Sequence, residues 1–160
     1  MSDATLVEPV TIRKAQIGDV AAISALVGRF AALNLMLPRS PASLFGALRD
    51  FFVATDASER LIGCAALAIM SGDLAEVRSL AVEPESQGLG LGRRLVGAAM
   101  DEARQLGLPK VFALTRAPGF FEKLGFEHTD MKALPQKVWT DCIHCPLFPD
   151  CDEVALIREL

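Results

Sequence analysis

Three glycines stand between an apolar strand and an amphipathic helix, and this segment constrains the fold more than any other part of the sequence. The segment reads Gln87-Gly-Leu-Gly-Leu-Gly92 and follows the predicted strand 75–82. After it, apolar residues recur at helical spacing until Gly107, a helix-terminating residue. Residues 111–114 then form a short apolar run that predicts another strand. Strand, loop, helix and strand in this order predict a parallel crossover.

The rest of the pattern predicts further strands and helices around the crossover. Predicted strands cover 10–13, 51–55, 61–69, 75–82, 111–114 and 154–157, and predicted helices cover 19–33, 42–49, the residues from about 90 to 106, and 118–124. Asp19 is the expected N-cap of the first helix. Three consecutive strands over 51–82 predict an antiparallel meander. We therefore expect one α/β domain over residues 1–160, with an irregular stretch over 131–151.

Composition and charge exclude several classes of protein. The formal net charge is −4, which argues against a protein that binds nucleic acid. The apolar runs end well short of the roughly 20 residues that a membrane span needs. Residues 1–10 include Asp3 and Glu8 and lack the basic-then-apolar order of a secretion signal. We therefore expect a soluble, cytoplasmic protein that binds neither nucleic acid nor membrane.

The glycine segment indicates a phosphate site. Glycine lets the backbone approach a ligand closely, and the first turn of the following helix offers unpaired amides and a positive dipole end. Arg93 and Arg94 add positive charge beside it, which suits a pyrophosphate. The spacing differs from the Gly-x-Gly-x-x-Gly of dinucleotide folds and lacks the Gly-Lys-Ser/Thr ending of a P-loop. The alternative is a tight strand-to-helix turn with no ligand.

These residues resemble the GNAT acetyltransferase superfamily, whose acetyl-CoA signature is matched by Gln87, Gly90 and Gly92. Residues 76–84 look like the family's central strand and its exit, and Phe120-Phe-Glu-Lys-Leu-Gly-Phe126 resembles its later helix-turn motif. The resemblance implies an α/β fold with a mixed central sheet, in which antiparallel N-terminal strands precede a parallel crossover around the acetyl-CoA loop. It also implies acetyl-CoA as cosubstrate. The implied cofactor-binding residues are Leu80, Ala81, Val82, Gln87, Gly88, Leu89, Gly90, Leu91, Gly92 and Arg93.

Other segments resemble the short, stand-alone N-acetylglutamate synthases within that superfamily. They are residues 37–40, 49–52, 63–67, 75–82, 137–142 and 145–154. The resemblance implies acetylation of the α-amino group of L-glutamate in a ternary complex, at the entry to arginine biosynthesis. It implies that longer members carry an arginine-sensing amino-acid-kinase domain, for which a chain of 160 residues has no room.

Glu76 is the candidate general base, acting directly or through water. On an ideal strand its side chain shares one face with Arg78, Leu80 and Val82. The alternative is that Glu76 and Arg78 are an ordinary solvated pair. Many superfamily members place a tyrosine before the glutamate of the later motif as proton donor, but the corresponding residue here is Phe121, and the sequence contains no tyrosine. Solvent or another donor must then protonate the leaving thiolate.

Arginines are the candidate acceptor-binding residues because planar guanidinium groups form paired hydrogen bonds with carboxylates. Arg39, between two prolines, is the first candidate, followed by Arg78 and Arg116. An exposed loop arginine with no ligand is the alternative for Arg39. Lys137 is a further residue that could face the substrate, although a solvated surface lysine fits it as well.

A cluster of three cysteines near the C-terminus permits a metal site without requiring one. Cys142, His144, Cys145 and Cys151 supply four soft ligands, but no second paired knuckle accompanies them. We expect buried thiols and no metal there. Cys64 lies in an apolar run and is expected in the core. His128 is assigned no role.

Three functions therefore stay open at the level of sequence. The first is an acetyl-CoA-dependent amino-acid N-acetyltransferase with a small-molecule acceptor. The second is an N-acetyltransferase for another amine or a peptide terminus. The third is a non-catalytic module that binds coenzyme A or interacts through a metal. The sequence leaves the oligomeric state open, a homodimer included.

Overall fold

The computed structural model of the chain describes residues 9–131, 134 and 153–160. Within these residues seven strands form a single sheet with helices on both faces. The strands are β1 (Thr11–Lys14), β2 (Phe51–Thr55), β3 (Leu61–Ser71), β4 (Leu74–Val82), β5 (Lys110–Thr115), β6 (Glu127–Thr129) and β7 (Val154–Glu159). The helices are α1 (Val20–Ala32), α2 (Pro41–Gly46), α3 (Leu91–Gln105) and α4 (Pro118–Glu122).

The strand order is β1-β2-β3-β4-β5-β7-β6. Strands β1 to β4 form the predicted antiparallel meander, and β4 pairs with β5 in parallel across the α3 crossover. Strand β7 then lies between β5 and β6 and runs antiparallel to both. The mixed sheet with a parallel crossover at the glycine segment is therefore confirmed.

Two apolar layers cover the sheet. Helix α3 buries Leu95, Val96 and Met100 against one face, together with Phe121 and Phe126 from the α4 region. Helix α1 buries Ile23 and Val27 on the other face against β2 and β3. The i, i+3, i+4 spacing that predicted these helices places their apolar residues on the sheet-facing side.

Several local details differ from the sequence-based expectations. Asp19 holds the N-cap position of α1 but does not cap it, because its carboxylate accepts from the Gln16 amide at 2.7 Å and from Arg13. The hydrogen bond from Arg13 lowers the pKa of Asp19.

The cap of α2 is Ser40, whose hydroxyl accepts from the Ser43 amide at 3.1 Å, and this helix ends at Gly46. The predicted helix over 42–49 also included Leu48 and Arg49, which belong to a separate 3-10 turn over Leu48–Asp50.

Strand β6 was missed altogether. It has three residues, two of them exposed, so it offers no apolar alternation to detect. Its pairing comes from β7, which follows it only after the stretch 130–153. Helix α4 is shorter than predicted and ends at Glu122, before the turn at Gly125.

Among the described residues, none of the helices is both long and apolar enough to pass through a bilayer.

Candidate active site

A cavity of about 1020 Å³ opens where β4 and β5 separate. The two strands are paired only at Ala75 with Val111 and at Glu76 with Phe112. Beyond these pairs β4 continues to Val82, and no strand among the described residues pairs with it on that edge. The separation leaves room for a ligand between the carboxyl ends of two parallel strands, the edge at which open α/β sheets bind ligands.

A β-bulge in β4 bends the strand away from β5. Cys64 pairs with Ala81 and Ala66 pairs with Arg78, so two residues of β4 face one residue of β3. The extra residue allows Ser79 to adopt a left-handed backbone, with φ of +56°. A bulge of this kind increases local twist and redirects the side chains that follow it.

The bulge corrects the predicted arrangement of side chains on β4. Leu80 and Val82 pack against the cluster on the α3 face, as Val77 does before the bulge. Alternation therefore places Glu76 and Arg78 on the opposite face, where their neighbours on β3 include the buried Ala66. The prediction that all four residues share one face is wrong, because the extra residue at the bulge reverses the alternation.

The glycine segment adopts a backbone that few other residues accept. Gly88 and Gly90 have φ of +84° and +76°, and α3 begins directly after them at Leu91. The Gln87 side-chain amide donates to the Val82 carbonyl at 3.0 Å and ties the loop to the end of β4. A Cβ atom at Gly92 would lie 3.3 Å from the Phe120 ring, so this position has little room for a side chain. The loop therefore presents open backbone amides at one end of the cavity.

The edge of β4 that faces β5 presents main-chain groups to the same cavity. The Glu83 amide donates to the Ile62 carbonyl of β3 at 2.8 Å. Because consecutive residues of a strand turn their backbone groups to opposite edges, the amides of Val82 and Leu80 face the gap between β4 and β5. Amides in this position can hold an extended chain or polarise a carbonyl oxygen.

Three arginines from separate parts of the chain line the same cavity. Arg39 donates from Nε to the Ser43 hydroxyl at 2.8 Å, and its guanidinium carbon lies 5.9 Å from the centre of the Phe51 ring. Arg116 donates to the Asn34 carbonyl and so joins the loop after β5 to the loop after α1. Arg78 comes from the bulged part of β4. These contacts hold three cations around one space, although they are far apart in the sequence.

Two carboxylates lie close to this charge. Glu76 lines the cavity and is 1% exposed, which shows that it is not a solvated surface residue. Asp50, the residue before β2, is half-buried. Burial raises the pKa of Asp50, while the charges of Arg78, Lys14 and Arg39 oppose that rise. Among the described residues that line the cavity, Arg39, Arg78, Arg93 and Arg116 outnumber the acidic residues Glu76 and Glu153. The cavity therefore favours anionic ligands.

Phe121 lines the cavity and lies edge-on to Phe120 and Phe126, with ring centres 5.0 and 5.2 Å away. The ring supplies packing and no proton.

Most of the predicted site residues lie around this one cavity. They are Arg39, Glu76, Arg78, Leu80, Val82, Gln87, Gly88, Gly90, Leu91, Gly92, Arg93 and Arg116. Two do not: the Ala81 side chain is buried in the cluster on the α1 face, and the Leu89 side chain is 60% exposed. Sequence reasoning missed Thr115, Met131 and Glu153, as well as the loop residues Leu35 and Met36. No local motif marks them, because they meet the cavity only through folding.

The remaining predictions fall elsewhere. Lys137, Cys142, His144, Cys145 and Cys151 lie outside the described residues. Among residues 9–131, 134 and 153–160, no group of three or more His, Cys, Asp or Glu side chains is arranged to hold a metal ion. Cys64 is buried in the core, as expected. His128 lies on the surface, 2.6 Å from the Glu122 carboxylate.

Comparison with known proteins gives a consistent family. Residues 47–128 match the model of the acetyltransferase (GNAT) domain. The chain is 40% identical, over 93% of its length and 96% of the other, to an uncharacterized N-acetyltransferase of Chlorobaculum tepidum. It is 36% identical to the amino-acid acetyltransferase of Mycobacterium tuberculosis, over 78% of this chain and 71% of that protein.

A solved structure resembles the chain as well. N-acetylglutamate synthase from Neisseria gonorrhoeae, in complex with coenzyme A and N-acetyl-glutamate, superposes with a TM-score of 0.85 at 30% identity. The match covers 95% of this chain and 35% of the synthase, so the likeness concerns one part of the larger protein.

Proposed function

The chain belongs to the GNAT acetyltransferase family, which uses acetyl-CoA as cosubstrate, and from this premise we propose that it acetylates the α-amino group of L-glutamate. The relatives named amino-acid acetyltransferase and the synthase in complex with N-acetyl-glutamate support a free amino acid as acceptor. The proposed reaction would be the entry step of arginine biosynthesis, as the resemblance to N-acetylglutamate synthases implies.

One observation carries the proposal: a single cavity is lined by the glycine loop, by the three arginines and by Glu76. A donor with a diphosphate suits the glycine loop, and an acceptor with two carboxylates suits the arginines. A dicarboxylic amino acid brings two anionic groups to Arg39, Arg78 and Arg116 and leaves its amine for the middle of the cavity.

The glycine loop fits the diphosphate of coenzyme A. A Cβ atom at Gly88 or Gly90 would meet nothing within 4 Å, so the loop faces open space, and the first amides of α3 lie next to it. Arg93 adds a charge at the same end. Acetyl-CoA, when bound, supplies the acetyl group as a thioester, an acyl donor with a thiolate leaving group.

We assign the chemical roles to the backbone of β4 and to Glu76. The amides of Leu80 and Val82 face the gap and would hold the thioester carbonyl; one well-placed donor of this kind contributes about 3 kcal/mol to the transition state. Glu76 would accept the proton of the acceptor amine, directly or through water. Since Phe121 cannot return a proton to the thiolate, solvent or another donor does so.

Release of free thiol from acetyl-CoA tests the proposal against a panel of acceptors. The panel contains L-glutamate, L-glutamine, L-aspartate, a polyamine and a peptide with a free N-terminus. We expect L-glutamate to give the highest kcat/KM. Turnover only with the polyamine or the peptide would contradict the proposal that L-glutamate is the acceptor. Binding of coenzyme A without turnover of any acceptor would support a non-catalytic module.

Arg39→Ala tests the acceptor end separately from the cofactor end. Loss of one carboxylate contact should raise the KM for L-glutamate about tenfold or more, while the affinity for coenzyme A stays unchanged. Arg49→Ala is the matched control, because Arg49 is exposed and lies outside the cavity lining. An unchanged KM in the Arg39 variant would remove Arg39 from the acceptor site.

A further inference from the structure

The guanidinium of Arg39 is held at one edge and on one face, and both contacts come from residues that follow it in the chain. Its Nε atom donates to the Ser43 hydroxyl at 2.8 Å, and its central carbon lies 5.9 Å from the centre of the Phe51 ring. A guanidinium group is planar, so one contact in its plane and one against its face together restrict its orientation. The side chain of Arg39 therefore meets the cavity in a defined direction.

Ser43 is itself fixed by the helix that carries it. Helix α2 begins directly after Ser40, whose hydroxyl accepts from the Ser43 amide at 3.1 Å. The residue after Ser43 is Leu44, which is fully buried in the cluster on the α1 face and anchors the helix to the core. Ser43 also lines the cavity. The helix thus places one hydroxyl group beside Arg39 at the border of the ligand space.

Phe51 places Arg39 on the same face of the sheet as Arg78. Phe51 pairs with Ala66 of β3, and Ala66 pairs with Arg78 of β4. The side chains of directly paired residues point to the same face of a sheet. Phe51 and Ala66 both belong to the cluster on the α1 face. The two arginines therefore reach the cavity from one side of the sheet, starting from positions two strands apart.

We propose that Ser43 is a positioning residue for the acceptor: its hydroxyl holds Arg39 in the orientation in which the guanidinium binds a carboxylate of L-glutamate. The inference rests on the proposed function, since it needs a carboxylate at Arg39. Because Nε donates to Ser43, a carboxylate held by Arg39 is bound through the two Nη atoms, whose parallel N–H groups match both of its oxygens. Without the hydroxyl, the long side chain samples more rotamers, and binding must then order it.

Ser43→Val and Ser43→Thr form a matched pair, because the two new side chains have nearly the same shape and differ in the hydroxyl. Ser43→Val should raise the KM for L-glutamate about fivefold and leave kcat unchanged, since the carboxylate contact is the same in the ground state and the transition state. Ser43→Thr should keep the KM within about twofold of the wild-type value. Steady-state kinetics measures both constants, and titration with coenzyme A should show the same affinity in all three proteins.

A double-mutant cycle tests whether the effect passes through Arg39. In the Arg39→Ala background, Ser43→Val should raise the KM for L-glutamate no further, because the group that the hydroxyl orients is absent. The same fivefold rise in both backgrounds would show that Ser43 acts independently of Arg39 and would overturn the assignment.

Ser40→Ala separates support of α2 from orientation of Arg39, because the Ser40 hydroxyl bonds to the helix backbone. Loss of this cap should lower the melting temperature by about 2–4 °C. The KM for L-glutamate should stay within about twofold of the wild-type value.

The assignment is overturned if Ser43→Val keeps the wild-type KM, or if Ser43→Thr or Ser40→Ala raises the KM as much as Ser43→Val. In each of these cases the wild-type protein still acetylates L-glutamate, so the proposed function stands. If the wild-type protein does not turn over L-glutamate at all, the proposed function fails and this assignment fails with it.

Discussion

At the scale of single residues, contact with the cavity separates the buried groups that can take part in chemistry from those that cannot. Glu76 is 1% exposed yet lines the cavity, so its carboxylate lies away from bulk water and within reach of a ligand. Cys64 is equally buried but does not line the cavity. Burial raises the pKa of the Cys64 thiol to about 12. Similar burial therefore leads to opposite roles, because only one of the two side chains faces the ligand space.

Glu76→Gln should lower kcat about 100-fold, because the amide keeps the shape of the side chain but cannot accept a proton. The deficit should narrow as the pH rises toward the pKa of the acceptor amine, since solution then supplies the neutral amine. A pH profile of kcat for both proteins measures this. Glu127→Gln is the control, because Glu127 is exposed in β6. If the Glu76 variant kept the wild-type kcat at pH 7, Glu76 would not be the general base.

Cys64→Ala should retain the wild-type kcat, because a neutral, buried thiol outside the cavity cannot carry an acetyl group. The substitution should lower the free energy of unfolding by about 1 kcal/mol, because it leaves a small void in the core. Steady-state kinetics and mass spectrometry of the enzyme mixed with acetyl-CoA test this. An acetyl group mapped to residue 64, together with an inactive variant, would contradict direct transfer.

At the scale of elements, the loop between β4 and α3 is held from two sides. Gln87 ties it to the end of β4, and the buried carboxylate of Glu83 pairs with Arg29 of α1. Phe30, the next residue of α1, lines the cavity. Arg29 is 58% exposed, so water screens the pair and it contributes about 1 kcal/mol or less to stability. Its main effect is therefore to set the position of the loop relative to α1.

Gly90→Ala should strain this loop, because its φ of +76° costs an L-residue about 1–2 kcal/mol. There is open space for the added carbon, so the effect is one of backbone conformation and not of collision. We expect about tenfold weaker binding of acetyl-CoA, measured by titration.

Gly28→Ala is the matched control for this substitution. Gly28 lies inside α1 with open space around a Cβ atom, and alanine there should stabilise the protein by about 0.5–1 kcal/mol without affecting acetyl-CoA. If Gly90→Ala bound acetyl-CoA as tightly as the wild-type protein, the loop would not require a left-handed residue.

At the scale of the whole molecule, the sheet joins distant parts of the chain. Strand β7 lies between β5 and β6, and Leu156 pairs with Ala113 on one side and with His128 on the other. The side chain of Leu156 is fully buried. The C-terminal strand therefore supports β5, the strand whose separation from β4 forms the cavity.

Leu156→Ala should lower the free energy of unfolding by about 2–5 kcal/mol, because it leaves a void at the centre of the sheet. Leu106→Ala removes the same atoms from a residue that is 57% exposed and should change stability by less than about 0.5 kcal/mol. Urea denaturation followed by circular dichroism compares the two. Equal midpoints would show that β7 is not a structural part of the sheet.

Much of the fold was determined by the sequence alone, because it depends on local patterns. Apolar spacing predicted α1 and α3, and the meander of β2 to β4 followed from three apolar runs separated by turn residues. The glycines of residues 88–92 indicated the loop, because glycine adopts a left-handed backbone conformation without the steric cost that other residues incur. Strand β6 had no such pattern and was missed.

Only the tertiary structure decided how the site is assembled. The bulge at Ser79 reversed the alternation along β4 and separated Glu76 and Arg78 from Leu80 and Val82, which no count of residues along a regular strand could predict. Arg39 and Arg116 are 77 residues apart in the chain and reach the same cavity from two loops. Local sequence determines which backbone conformations have low energy. Contacts between side chains that are distant in sequence depend on how the sheet twists and where two strands separate.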